Sequence, residues 1–175
     1  MEALLARRST REYAPRALPP QILADLLWAA WGINRPANGL RTAPSAHESY
    51  DVDLYLAMAD GVWTYDPKAN RLMQYLPDDI RAETTTGQAY VATAPLNLVY
   101  VSDAVRLGNL SADQRLLNGV ADCAVIAQNV YLYCASEGLA TVLRSSVPGA
   151  TLARRLNLKP SQAIYLAQSV GYPKG

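Results

Sequence analysis

The chain has 175 residues, half of them hydrophobic and 18% charged, a composition that can bury a sizeable core and excludes a disordered chain. Sixteen Lys and Arg stand against 15 Asp and Glu, which argues against a nucleic-acid binder resting on an excess of positive charge. One His and two Cys are too few for a side-chain zinc cluster or a disulfide framework.

Length predicts one domain over residues 1–175. Helical patterning opens the chain to about Arg8. Pro19-Pro20 starts a second helix whose apolar face is Ile22, Leu23, Leu26, Leu27, Ala30 and Trp31, and Gly32 ends it. Residues 33–46, with Pro36, Gly39 and Pro44, read as a long loop of the kind that usually carries function. Val52–Ala59 alternates as a half-buried strand. Gly61–Pro67 and Arg71–Leu76 form a hairpin with its turn at Asp66-Pro67 to Asn70. A helix is expected from Pro77 to about Thr93, stopped by Pro95, and Leu96–Ser102 is a strong strand. Ser111 and Gln114 form a capping box that opens a long helix, and Gly138 stops it. A strand at Leu139–Leu143, a short helix at Gly149–Leu156 and a strand at Ala163–Val170 complete an α+β domain around one mixed sheet.

Cys123 and Cys134 lie on the long helix, roughly 16 Å apart at its rise per residue. A disulfide needs Cα atoms within about 7 Å, so both are read as small core side chains. The Leu116–Ser136 run carries Asn118, Asp122, Gln128 and Asn129, which are costly in lipid and normal in a helix buried between protein layers. The N-terminus lacks the apolar stretch of a signal peptide. The expectation is a cytoplasmic protein without membrane contact, with a removed export segment left open.

There is no G-x-G-x-x-G, no P-loop and no G-x-S-x-G elbow. Any reactive group is therefore expected to come from a cofactor, and no catalytic side chain or metal ligand is assigned. Three clusters remain. Arg7, Arg8, Ser9 and Arg11, taken as a helix end, bring three guanidiniums to one point, where their forks suit phosphate; a solvated basic face is the alternative. Around Pro44, small residues would let main chain lie close against a flat ligand; the alternative is an ordinary surface loop with one exposed His. The long helix is apolar nearly all round and so predicts burial on all sides, part of it by a second subunit, or else by the core of a monomer.

Together these motifs resemble the nitroreductase family of FMN-dependent oxidoreductases. R-R-S-x-R, a P-S-A loop within R-T-A-P-S-A, A-P-L-N-L-V-Y-V, Q-N-V-Y-L, G-L-A-T-V-L-R and V-G-Y-P occur in the family's order over nearly the whole chain. The resemblance implies a three-layer α-β-α sandwich with a central mixed, mainly antiparallel sheet. It also implies a homodimer with FMN at the interface. Electrons would pass in ping-pong fashion from NADH or NADPH to a small acceptor such as a nitroaromatic or quinone. By position it assigns Arg7, Arg8, Ser9 and Arg11 to the FMN phosphate and ribityl chain, and Pro44, Ser45 and Ala46 to the loop laid against the ring from the second subunit. Val142, Leu143, Arg144 and Ser145 fall at the strand end beside the flavin's reactive edge, and Lys174 at the phosphate. Glu48 and Tyr50 stand where many relatives carry Asn and Gln, so the ring contacts differ there. The competing reading is an FMN-binding or storage protein of this fold without turnover.

Overall fold

In a computed structural model describing residues 1–175, the elements run in chain order as α1 (Glu2–Ala6), α2 (Pro20–Trp31), β1 (Ile33–Arg35), β2 (Leu40–Arg41), β3 (Val52–Met58), β4 (Gly61–Asp66), β5 (Arg71–Leu76), α3 (Tyr90–Thr93), β6 (Leu96–Asp103), α4 (Ala112–Ser136), β7 (Ala140–Arg144), α5 (Gly149–Arg155) and β8 (Gln162–Gly171). Six strands form one sheet in the order β5-β4-β3-β6-β8-β7. Every neighbouring pair is antiparallel, so the sheet contains no parallel pair.

The two-residue strand period divides the core. Leu54, Leu56, Leu98 and Tyr100 face one side, where α2 and α4 cover them with Leu26, Leu27, Trp31, Cys123, Ile126 and Val130. Tyr55, Ala57, Val99 and Val101 face the other, against Ile80, Leu152 and Leu156. Helix, sheet and helix are thus the three layers expected. Both cysteines are free and buried on the α4 side, and burial pushes the Cys134 thiol up to about 12.

The start of α4 is the expected capping box: Ser111 Oγ accepts the Gln114 N–H at 3.3 Å while Gln114 Oε1 accepts the Ser111 N–H at 3.1 Å. Gly138 follows its end at φ 66°, a conformation that favours glycine. Only one face of α4 is buried within the chain. Leu116 and Leu117 remain 51% and 68% exposed, and Ala121, Ala124 and Gln128 continue the open face.

Three expectations are corrected. The first helix ends at Ala6, with Arg7 already extended at ψ 122°, so Arg7 and Arg11 are not helical neighbours. The segment from Pro77 to Thr93 contains only a 3₁₀ turn at Arg81–Thr84 and the four-residue α3. Asp79 takes the Arg81 N–H and guanidinium into a local turn, and three consecutive threonines before Gly87 disfavour helix. Residues 33–46 are not structureless, since β1 and β2 pair there.

Gly119 sets the approach of α4 to the sheet. A Cβ there would stand 2.6 Å from Ser102 Oγ and 2.9 Å from Tyr165 Cε2. Gly119→Ala is expected to lose about 1–3 kcal/mol by overpacking, more than the roughly 1 kcal/mol gained in helix propensity. A lowered urea midpoint with an unchanged slope would show it.

Candidate functional site

Strand β7 lies at the edge of the sheet, so alternate residues direct their backbone groups away from β8. Those groups are taken by the segments that the sequence singled out. The Thr141 carbonyl accepts the Thr10 N–H at 2.9 Å, and the Leu143 N–H donates to Tyr131 Oη at 2.9 Å. The same hydroxyl shares a 2.8 Å hydrogen bond with Ser9 Oγ, and the Arg7 guanidinium stacks over the Tyr131 ring, 5.3 Å from its centre. Tyr131 is 9% exposed and joins the 7–11 segment, α4 and β7.

The C-terminus completes this corner. Tyr13 bridges to Pro173, and the Lys174 N–H donates to the Glu12 carbonyl at 3.3 Å. Lys174 therefore lies beside the arginine segment. Between these parts is a cleft of about 380 Å³ whose lining includes Arg7, Arg8, Thr10, Tyr131 and Thr141. No ion pair occupies Arg7, Arg8 or Arg11. A larger cleft of about 840 Å³, lined by Leu18, Met58, Trp63 and Leu72, has Arg16 and Arg81 but also Asp60 in its wall. The Arg16 guanidinium is stacked 4.1 Å above the Tyr172 ring, much as Arg7 stacks over Tyr131, and Arg81 is paired with Asp79; the smaller cleft has two guanidiniums, Arg7 and Arg8, and no carboxylate in its wall.

Val142 is buried and Leu143 half-buried, while Ser145 is exposed past the end of β7. The Arg144 side chain turns inward. It donates to the Thr84 carbonyl at 2.8 Å and to Asn97 Oδ1 at 3.3 Å, without a carboxylate partner, and burial pulls its guanidinium pKa down.

Pro44, Ser45, Ala46 and Glu48 are not brought to this corner. Their loop is fastened to Asp122 on α4, nine residues before Tyr131, which is about 13 Å along a helix. Ser45 Oγ donates to Asp122 and accepts the Tyr50 N–H at 2.8 Å, and the Ala46 N–H donates to Asp122 Oδ1 at 3.3 Å. The loop has His47, Glu48 and Tyr50 at φ of 55°, 52° and 45°, left-handed values that cost non-glycine residues about 1–3 kcal/mol each. Pro44 and Glu48 are exposed, and Glu48 has no side-chain hydrogen bond or ion pair. Tyr50 instead anchors the loop: its ring meets Trp31 edge-on at 5.8 Å and Arg41 at 5.0 Å, and its carbonyl accepts from Arg106 at 3.0 Å.

Sequence reasoning passed over two buried carboxyl groups beneath this loop. Asp51 is fully buried and Asp122 is 4% exposed. Asp51 Oδ2 accepts from Ser102 Oγ while Oδ1 has no donor. Burial pushes the Asp51 carboxyl up to about 6, and the neighbouring Asp122 adds to the rise. Tyr131 stood in the Q-N-V-Y-L motif, but nothing in its spacing showed that its hydroxyl would reach two other segments.

A sandwich with a cationic cleft at its sheet edge was compared with known proteins. The model of the nitroreductase family matches residues 4–172. A Methanocaldococcus jannaschii protein named "Putative nitroreductase MJ1384" is 30% identical over 150 residues, which are 81% of this chain and 75% of that protein. A crystal structure described as a "putative nitroreductase" from Ralstonia eutropha JMP134 is 36% identical with a TM-score of 0.94, covering 99% of this chain and 82% of the other. The NADPH:FMN oxidoreductase from Vibrio harveyi, solved with NAD+, shares the fold at a TM-score of 0.74 and 21% identity, covering 99% of this chain and 68% of that one. The chain is an oxidoreductase. It belongs to the nitroreductase family.

Proposed function

We propose that the protein binds FMN in the β7-edge cleft of a homodimer and transfers electrons from NADH or NADPH to a small acceptor such as a nitroaromatic or quinone. The observation that carries this reading is a cleft lined by Arg7, Arg8 and Tyr131, whose hydroxyl ties Ser9 to the Leu143 N–H, with neither guanidinium paired to a carboxylate. The residues fit the cofactor: Arg7, Arg8, Arg11 and Lys174 would hold its phosphate, where charged and bidentate donors are strongest. Bound FMN would supply two-electron transfer between donor and acceptor.

The chain's own part is positioning. Tyr131 fixes the Leu143 N–H, and strand alternation leaves the Leu143 carbonyl directed to the same outer edge as a fixed acceptor toward the ring. Within one chain the 44–48 loop is fastened well along α4 from this corner. The open α4 face with Leu116 and Leu117 supports pairing of two copies, in which each would lend its loop to the other's cleft. Val142, Arg144 and Ser145 would flank the ring through the strand end, and Glu48 would face it from the partner's loop.

The deciding experiment is the absorbance spectrum and heat-released cofactor of the purified protein, followed by anaerobic titration with NADH and NADPH. Recovered FMN reduced by either nucleotide supports the proposal. Recovered FAD or the absence of flavin overturns it, and FMN that neither nucleotide reduces would favour the storage reading. In addition, Arg11→Ala is expected to weaken FMN binding roughly ten- to hundredfold, the effect of losing a charged hydrogen bond of about 1.5–3 kcal/mol. Arg16→Ala should change it less, because Arg16 lines the larger cleft instead. Fluorescence titration of FMN into each variant measures the difference.

A further inference from the structure

We propose that one proton shared between Asp51 and Asp122 latches the 45–50 loop onto α4, making these two buried carboxyl groups the positioning residues of that loop. Asp122 is the loop's anchor: both its oxygens face it, Oδ2 accepting from Ser45 Oγ and Oδ1 from the Ala46 N–H. Asp51 sits behind Asp122 at the start of β3, with Oδ2 held by Ser102 and Oδ1 fully buried without a donor. A carboxylate oxygen in that position has lost its water and gained nothing. A proton on Asp51 Oδ1, donated to Asp122, satisfies it and removes the repulsion between the two groups.

The surroundings compensate the two groups only in part. Neither carboxylate forms an ion pair. From α4 the neighbouring titratable group is the Cys123 thiol, and from β8 it is the Tyr165 phenol, both of which Asp51 pushes up further. Arg106 is the nearby cation and feels Asp51, but its guanidinium is bound to Asp53 and faces Asp103 more strongly. The loop being held is one that does not rest easily, with three non-glycine residues in left-handed conformations. Ser45 closes it by accepting from Tyr50 while donating to Asp122. The latch thus bears directly on the residues that carry the odd backbone geometry.

The sign follows from the raised carboxyl. Below about pH 6 the pair keeps its proton and the loop is fastened; as pH rises through that value the proton leaves, two charges face each other, and the fastening weakens. The effect on flavin rests on the function proposed above, whereas the latch itself does not. Asp51→Asn imitates the protonated acid, its amide donating to Asp122 at every pH. Asp122→Asn is the second variant should the first not fold: it replaces one of the two oxygens that accept from Ser45 and Ala46, so Ala46 protection should be low and flat with pH, and a wild-type profile overturns the latch.

The test measures hydrogen exchange at the Ala46 amide between about pH 5 and 7.5, corrected for the intrinsic pH dependence, together with infrared spectra of the carboxyl C=O stretch and FMN affinity. In the wild type, Ala46 protection and FMN affinity should fall together above about pH 6, by no more than about tenfold per pH unit, the ceiling for one proton. The infrared band of a buried protonated carboxyl should disappear over the same interval. In Asp51→Asn the band should be absent and both profiles flat. Wild-type protection that is flat with pH, or an Asp51→Asn profile like that of the wild type, overturns the latch. Failure of FMN to bind at any pH overturns the flavin reading alone, since exchange and infrared spectra still decide the latch.

Discussion

Replacing Tyr131 by alanine is expected to lower stability by about 3–5 kcal/mol, the range for removing a large buried aromatic side chain, and to reduce FMN binding beyond the loss from any single arginine. The hydroxyl holds two partners at once, the Leu143 N–H and Ser9 Oγ, and the ring supports the Arg7 guanidinium. Its removal frees the 7–11 segment from β7 except for the Thr10–Thr141 bond, and it leaves an edge-strand amide without an acceptor. Tyr131→Phe separates these contributions. It keeps the ring under Arg7 and removes only the hydroxyl, with its bonds to Leu143 and Ser9, so about 1–3 kcal/mol should be lost. Chemical denaturation of both variants, with FMN titration alongside, gives the comparison. If Tyr131→Phe binds FMN as the wild type does, the hydroxyl does not position the cleft.

What the sequence revealed was what is local. The capping box at Ser111 and Gln114, the stop at Gly138, the 61–76 hairpin and the alternation of β3 each follow from a few adjacent residues, and all are present. The arginine segment was found by composition, but its geometry was misread. A helix running to Arg8 would have grouped three guanidiniums by helical spacing; instead the segment leaves the helix at Arg7 and pairs with β7 and the C-terminus, and Arg7 and Arg8 line the cleft while Arg11 does not. The apolar character of α4 was read as burial on all sides, part of it by a second subunit or else by the core of a monomer. Within the chain it is divided, one face against the sheet and one left open with Leu116 and Leu117. Asp51 and Asp122 stood apart in sequence with no motif around either, and a pairing created only by the fold could not be read from spacing. Tyr50 was noted for replacing an amide, although its ring serves to pack the loop against Trp31 and Arg41.

Arg144 provides the second large effect. Arg144→Ala is expected to lose about 2–5 kcal/mol, because a large side chain that is 4% exposed is replaced by a cavity. The Thr84 carbonyl also loses its 2.8 Å donor. The cation itself is an odd choice for stability. It has no carboxylate partner, its Nε has no acceptor, and its compensation comes from the oxygens of Thr84 and Asn97. Arg144→Met keeps most of the volume but leaves the Thr84 carbonyl and Asn97 Oδ1 without this donor, so it should lose about 1–3 kcal/mol, less than the alanine variant. The place of this charge, on the strand that borders the proposed flavin site, gives it a second use. A fixed cation beside a flavin favours the more electron-rich reduced form. Arg144→Met should therefore lower the FMN midpoint potential, by about 30 mV for each 1.4 kcal/mol of charge stabilisation lost in a two-electron couple. Spectroelectrochemical titration of the two proteins measures this. A large loss of stability in Arg144→Met with an unchanged potential would show that the guanidinium serves the fold through its hydrogen bonds and that its charge does not reach the cofactor.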